Sequence, residues 1–227
     1  MDKGSTSELL FTTGVLTLQN GGITTTDQFE STVEKYSRET RGLLPEELSG
    51  IINNRIQEEL LVEPFLNLES EDHRSIAELC ALYDHLDPAG TAMRSPVDSW
   101  LSLLPILYLF RDTETLLEGV PESFIPIPAP HIPHLTVIYS PAIVYIWLDE
   151  CPPCDKTKTD LESIFTGTHE VMPFAVYGPN HQDFLISEYE VTAGPVLLFM
   201  RNGTVETRLY GNQGCRAIKA ELAKCKR

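Results

Sequence analysis

A dense run of prolines divides this chain into two parts with different patterning. Six prolines lie between residues 121 and 141: Pro121, Pro126, Pro128, Pro130, Pro133 and Pro141. Proline fixes φ and lacks a backbone N–H, so this density disfavours helix and favours a stiff, extended connection. The apolar residues among the prolines indicate that the segment lies against a domain. We therefore predict a first domain at 1–120, a linker at 121–133 and a second domain at 134–227.

The first part has the hydrophobic periodicity of helices. Apolar side chains recur at three- and four-residue intervals within three ranges, which are 29–36, 48–60 and 76–86. Pro45 suits the start of the second stripe and Pro64 its end, while Thr25 and Gln28 have the spacing of a capping box before the first. Ser95-Pro96 opens a further segment. Residues 1–120 are thus predicted to form a mainly α-helical accessory domain.

A small hairpin is predicted ahead of these helices. The segments Val15–Leu18 and Ile23-Thr24 flank Asn20-Gly21-Gly22, which is a favoured hairpin turn. A hairpin beside helices also occurs in winged-helix DNA readers. However, residues 1–120 hold 21 acidic and 8 basic residues, a net charge of −13. Such charge opposes binding to nucleic acid, so a helical accessory domain is favoured and no nucleic acid partner is expected.

Membrane insertion and secretion are not expected from the sequence. The strongest apolar run, Trp100–Phe110, is short and contains Pro105, whereas a span needs about 20 apolar residues. The apolar cluster Leu9–Phe11 is too short for the core of a secretory signal. We therefore expect a cytoplasmic protein with no membrane partner. Its net charge of −16 would also suit a halophilic, high-salt cytoplasm, and five cysteines, an odd number, do not indicate a disulfide framework.

The second part has the pattern of an α/β domain. The continuous apolar run Ile143–Leu148 is typical of a strand buried on both faces. Further elements are predicted in this order: helix Asp155–Phe165, strand Val171–Tyr177, helix Phe184–Tyr189, strand Val196–Met200, strand Thr204–Tyr210 and helix Cys215–Lys224. An Asn202-Gly203 turn joins the last two strands. This order predicts a sheet with an antiparallel edge pair, flanked by helices.

Two cysteines stand between the first buried strand and the helix that follows it, in the motif Cys151-Pro152-Pro153-Cys154. Thiols at this spacing can close a small disulfide. The N-terminus of a helix presents unpaired N–H groups and a positive dipole end, which stabilise the attacking thiolate. Cys151, at the end of the turn, is the predicted nucleophile. Cys154, inside the first helical turn and more buried, is predicted to resolve the mixed disulfide.

These features resemble the thioredoxin-like superfamily over residues 134–227. The matching pieces are the strand with Trp147, the Cys-x-x-Cys motif, Gly194-Pro195 at the start of the next strand, and Gly211 before the last helix. The resemblance implies a central mixed sheet flanked by helices, with Pro195 in the cis form beside Cys151.

The same resemblance carries expectations about activity. It implies that the backbone of Gly194 pairs with an extended substrate segment, and that the cysteine pair exchanges dithiol for disulfide with protein substrates. An electron donor of the thioredoxin-reductase type would then reduce the pair again. No cofactor is expected, and residues 1–120 resemble no family that we recognise.

The motif departs from the family pattern at three places. Tyr145 stands where thioredoxins carry a buried aspartate that helps deprotonate the resolving cysteine, and a phenol, with a pKa of about 10, is a poor base at neutral pH. Glu150, a water or the substrate is left for this task. Glu150 also replaces a frequent tryptophan, and Pro152 and Pro153 remove two N–H groups near the sulfur. Tyr145 should need a hydrogen-bond partner for its hydroxyl.

Other interpretations of the cysteine pair remain open at this point. A Cys-x-x-Cys motif can be half of a zinc site, which usually has four ligands. No second such pair exists, and His131 and His134 precede the motif in the proline-rich stretch, so no metal is predicted. A thiol–disulfide oxidoreductase is favoured. The alternative is a redox-sensing or non-catalytic interaction module, and the oligomeric state is left open.

Overall fold

The computed structural model describes residues 5–87, 100–111, 118–167 and 170–225. The chain forms two compact units, Met1–Arg111 and Asp112–Arg227. This division falls earlier than the boundary predicted from the prolines. Residues 118–133, which were assigned to the helical domain and the linker, belong to the second unit. The segment predicted to open at Ser95-Pro96 lies outside the described residues.

The first unit is mainly helical, and the expected hairpin follows a short first helix. Its elements are α1 (Ser5–Thr12), β1 (Leu16–Gln19), β2 (Gly22–Thr25), α2 (Asp27–Thr40), α3 (Pro45–Ile56), α4 (Glu59–Glu71), α5 (Ser75–Leu86) and a 3-10 helix at Leu104–Phe110. Strands β1 and β2 pair antiparallel, which confirms the predicted hairpin. Helix α2 packs chiefly against α5, and their apolar stripes form the core.

Two local predictions in this unit, the bounds of one helix and the cap of another, were wrong, and the structure shows why. The stripe at 48–60 belongs to two helices, because Gln57 takes a left-handed conformation with φ 56° and ends α3. Pro64 then lies inside α4, where it costs one backbone hydrogen bond without ending the helix. The cap of α2 is Thr26, whose hydroxyl accepts a hydrogen bond from the Phe29 N–H at 3.1 Å. Thr25 belongs to β2.

The second unit is a mixed sheet flanked by helices, as expected. Its elements are β3 (Ile125–Pro126), α6 (Ile132–Ile138), β4 (Ala142–Trp147), α7 (Pro152–Ile164), β5 (Met172–Tyr177), α8 (Gln182–Tyr189), β6 (Val196–Arg201), β7 (Thr204–Tyr210) and α9 (Gly214–Cys225). The strand order is β3-β5-β4-β6-β7. Strands β3, β5 and β4 run parallel, while β6 and β7 complete the sheet antiparallel.

The proline-rich segment is structured, which corrects its assignment as an extended linker. Ile125 and Pro126 pair with β5 as an edge strand, and the Ile127 N–H donates to the Ala175 carbonyl at 2.9 Å. An edge strand tolerates proline because one side of its backbone needs no ladder bond. Pro133 stands in the first turn of α6, where the missing N–H would be unpaired in any case.

Strand β4 is the centre of the second unit, and all six of its residues are buried. Its side chains alternate between the two faces of the sheet. Ile143, Tyr145 and Trp147 join the core cluster that includes residues of α7 and α9. The intervening residues therefore face the other side. None of the helices in the described ranges has the length and apolarity that a bilayer crossing requires.

Candidate functional site

The cysteine pair lies where β4 passes into α7. Cys151 is the cap residue of α7, and its carbonyl accepts hydrogen bonds from the N–H groups of Cys154 at 2.8 Å and Asp155 at 3.2 Å. Pro152 and Pro153 occupy the first two helical positions, where their fixed φ suits the helix. Cys151 and Cys154 are joined by a disulfide, with their Cα atoms 5.2 Å apart. Cys151 is partly exposed and Cys154 is buried, so solvent reaches the first sulfur more readily.

A cis peptide bond lies against this disulfide. The Gly194–Pro195 bond is cis, and the Cys151 Sγ lies 4.0 Å from the Gly194 carbonyl oxygen. A disulfide sulfur carries no proton, so this approach is a contact and not a hydrogen bond. Within the described residues, no backbone hydrogen bond uses the N–H or C=O of Gly194. The chain therefore presents one unpaired peptide segment directly beside the partly exposed sulfur.

Tyr145 links β4 to the buried cysteine. Its hydroxyl donates to the Cys154 carbonyl at 3.0 Å, which confirms that this phenol needs a hydrogen-bond partner. Burial of the ring, and secondarily the charge of Asp155, raise the pKa of Tyr145 well above its usual value. The phenol therefore stays protonated at neutral pH and serves as a strut between strand and helix.

Replacing Tyr145 with phenylalanine should leave unchanged the pH dependence with which added dithiothreitol reduces the Cys151–Cys154 disulfide. The variant Tyr145→Phe loses one buried hydrogen bond, so we expect the unfolding free energy to fall by about 1 kcal/mol. The pH–rate profile measures the first effect, and urea unfolding measures the change in unfolding free energy. Tyr210→Phe, a change at an exposed position, is the control. If an ionisation seen in the pH–rate profile of wild type were absent from that of Tyr145→Phe, the phenol would act as a proton carrier.

An acidic cleft of about 300 Å³ borders the buried cysteine on the face of the sheet that carries α7. Its lining residues are Glu118, Gly119, Tyr145, Trp147, Leu148, Asp149, Glu150, Cys154, Asp155 and Lys158. The ammonium of Lys158 donates to the Glu118 carbonyl at 2.6 Å. Four carboxylates thus outweigh one cation around the disulfide, and negative charge disfavours a thiolate.

Trp147 forms one wall of the acidic cleft. Its ring packs against Tyr177 with centroids 4.8 Å apart, and the Tyr177 hydroxyl donates to Asp149. Gly119 lies so close to the indole that any side chain there would overlap it. The indole N–H is buried and has no hydrogen-bond partner in the described part of the chain. The tryptophan is therefore held by packing.

A second cleft, of about 190 Å³, lies at the carboxyl end of β4 on the opposite face of the sheet. It is lined by Ile146, Leu148, Gly178, Pro179, Gln182, Leu185, Val191, Thr192 and Ala193. Nothing in the sequence predicted it, because its walls come from three stretches that are distant along the chain. The only local signal was the alternation of Ile146 and Leu148 along the strand.

The other three cysteines are unpaired. Cys80 is buried in α5, and burial raises the pKa of its thiol to about 12. Cys225 is buried and donates to the Met200 carbonyl at 3.7 Å, whereas the partly exposed Cys215 donates to Asp160 at 3.0 Å. No cluster of three or more potential metal ligands occurs among the described residues.

The sheet order, the cysteine pair at the start of α7 and the opposed cis-proline together decide the fold. The second unit has a thioredoxin-like fold. No protein-family model matches the chain, and no curated protein matches it.

Several solved thioredoxins are similar to part of the chain. A mutant thioredoxin from Halobacterium salinarum matches at 18% identity and TM-score 0.41, covering 48% of this chain and 96% of its own. A Fasciola hepatica thioredoxin matches at 19% identity and TM-score 0.39, covering 43% and 94%. Thioredoxin f2 from Chlamydomonas reinhardtii matches at 14% identity and TM-score 0.41, covering 44% and 94%.

Proposed function

We propose that this protein is a thiol–disulfide oxidoreductase whose Cys151/Cys154 pair exchanges with disulfides of client proteins. The observation that carries the proposal is the disulfide at the N-terminus of α7, with the more exposed sulfur beside an unpaired cis-proline peptide. A buried structural disulfide would need neither the exposure of Cys151 nor the free backbone of Gly194.

The exchange begins with the reduced pair. The Cys151 thiolate attacks one sulfur of the client disulfide, and the other client sulfur leaves as a thiolate that takes up a proton. Cys154 then loses its proton and attacks Cys151 Sγ, which releases the second client thiol and closes the Cys151–Cys154 disulfide. Two electrons have passed to the client. A donor of the thioredoxin-reductase type returns two electrons to the pair.

The residues around the cysteine pair have separate roles in the proposed exchange. An extended client segment pairs with the N–H and C=O of Gly194, which orients its sulfur toward Cys151. Tyr145 is excluded as the base for Cys154 because its pKa is raised. Glu150, which borders the same cleft as Cys154, a water in that cleft or the substrate itself takes this proton. We propose a cytoplasmic location, where clients and reductant meet.

The test is reduction of insulin by the full-length protein with dithiothreitol as electron source. Wild type should precipitate insulin faster than dithiothreitol alone, whereas the double variant Cys151→Ser/Cys154→Ser should give only the background rate. Equal rates for the two proteins would favour the alternative, a redox sensor or interaction module in which the disulfide is not turned over.

A further inference from the structure

A turn of three residues, 148–150, carries the chain from the central strand β4 to Cys151. We propose that Tyr177 is a positioning residue for the attack by Cys151, and that it acts through its hydrogen bond to Asp149 in this turn. This inference rests on the proposed function and deepens it, because it names a residue outside the Cys-x-x-Cys motif on which the rate of exchange depends.

The backbone of this turn includes one residue in a costly conformation. Glu150 has φ 48°, which lies in the left-handed region that a residue with a Cβ atom rarely adopts. Such a conformation persists only where the surrounding structure fixes it. Glu150 directly precedes Cys151, the cap residue of α7. The dihedral angles of Glu150 therefore set the direction in which the chain presents Cys151.

Few hydrogen bonds fix this turn. Within the described part of the chain, no backbone N–H or C=O of residues 148–150 bonds to another segment. The side chain of Leu148 packs against the core and holds the start of the turn. At its other end, the Tyr177 hydroxyl donates to the Asp149 carboxylate. The backbone next to Glu150 therefore depends on the bond from Tyr177.

Tyr177 is well placed to hold the turn because it belongs to the sheet. It lies opposite Trp147 in the parallel register of β4 and β5, and the two rings pack with their centroids 4.8 Å apart. Packing against the indole limits the rotamers of Tyr177, so the hydrogen bond costs little additional entropy. A carboxylate acceptor also makes this bond stronger than one between neutral groups. The contact links the rigid sheet to the turn that presents Cys151.

The direction of Cys151 matters for attack on a disulfide. The bond from Cys151 Sγ to one client sulfur forms while the client S–S bond breaks, and the other client sulfur leaves as a thiolate. The rate depends on how well the three sulfurs are aligned. A small alkylating agent approaches an exposed thiolate freely, so its reaction reports nucleophilicity with little dependence on that alignment.

The test uses the pre-reduced full-length variant Cys154→Ser, which isolates the attack by Cys151. Its rate constant with a disulfide dimer of a Gly/Ser peptide is measured, and alkylation of Cys151 by iodoacetamide is followed by mass spectrometry. In this background Tyr177→Phe should slow the attack on the disulfide at least about fivefold, while alkylation should change by less than about twofold. Tyr210→Phe, which removes an exposed hydroxyl from β7, should change neither rate.

Substitutions of Asp149, made in the same background, separate the position of the turn from its charge. Asp149→Ala removes the acceptor and should slow the attack as much as Tyr177→Phe does. The double substitution Tyr177→Phe/Asp149→Ala should be no slower than either alone, because both remove the same contact. Asp149→Asn keeps an oxygen that accepts from Tyr177 but loses the charge, so it should attack the disulfide at least as fast as the background protein.

Three results would refute the positioning role. These are an unchanged attack rate in Tyr177→Phe, a loss of alkylation as large as the loss of attack, and an Asp149→Asn protein as slow as Asp149→Ala. Failure of the proposed function is recognised separately. In that case Cys154→Ser with no further change would form the mixed disulfide no faster than Cys151→Ser/Cys154→Ser, and the positioning role would fail with it.

Discussion

Replacing Cys154 with serine should convert the protein into one that stays covalently bound to its client. In Cys154→Ser the partly exposed Cys151 still attacks a client disulfide, but the pair no longer has a second thiol to release the product. A client supplied without added reductant should therefore accumulate as a one-to-one mixed disulfide. Mass spectrometry after alkylation measures it, and the adduct should disappear on treatment with dithiothreitol.

One single and one double variant assign the adduct to Cys151. Of the pair, Cys151→Ser keeps only Cys154, whose side chain is buried, and should form little or no adduct. Cys154→Ser/Cys215→Ser removes the partly exposed thiol of α9 and should trap the client as efficiently as Cys154→Ser. Equal trapping by Cys151→Ser and Cys154→Ser would contradict the division of roles between the two cysteines.

The cysteine site was predictable because its decisive features are local. A buried strand, a turn and a helix start follow one another within residues 143–165, and the hydrophobic pattern alone places Cys151 at the helix N-terminus. Strand β4, helix α7 and the β6–β7 pair were found for the same reason. The cis-proline opposite Cys151 came from the family resemblance, since spacing in sequence does not specify that contact.

Features that depend on contacts between distant segments could not be predicted from the sequence. The pairing of Ile125–Pro126 with β5 is decided by the sheet edge, which tolerates proline, and not by local propensity. At the apolar cleft, Gly178 and Gly194 both lie close to the side chain of Leu148. No periodic pattern along the chain reveals that three residues so far apart in sequence lie close together.

The ion-pair network in the first unit was missed for the same reason, and only the Arg74–Glu78 spacing of four residues hinted at it. The Glu78 carboxylate is 1% exposed and accepts from Arg74 Nε at 2.5 Å. It also accepts from the guanidinium of Arg111, which in turn binds Asp72. Burial alone would lower the pKa of Arg111, but Glu78 raises it above the ordinary value. The two charges therefore stabilise each other inside the unit.

Truncating Glu78 should destabilise the first unit more than most single substitutions do. Glu78→Ala leaves the buried guanidinium of Arg111 with Asp72 as its remaining carboxylate partner, and loss of one member of a buried pair costs about 3–5 kcal/mol. Chemical unfolding should be followed by the fluorescence of Trp100, which is buried in this unit. The only other tryptophan is Trp147, so a Trp147→Phe background makes the signal specific.

The charge, and not the loss of side-chain volume, should explain most of this effect. Glu78→Gln keeps the shape and hydrogen-bonding oxygen but removes the charge, so it should also destabilise strongly, since Arg111 remains buried and poorly compensated. Glu63→Ala, at an exposed position of α4, should change the unfolding free energy by no more than about 0.5 kcal/mol. If Glu78→Gln changed the unfolding free energy as little as Glu63→Ala does, the ion-pair network would fix the local geometry without net electrostatic stabilisation. Arg111 would then have to be solvated by local opening of the unit.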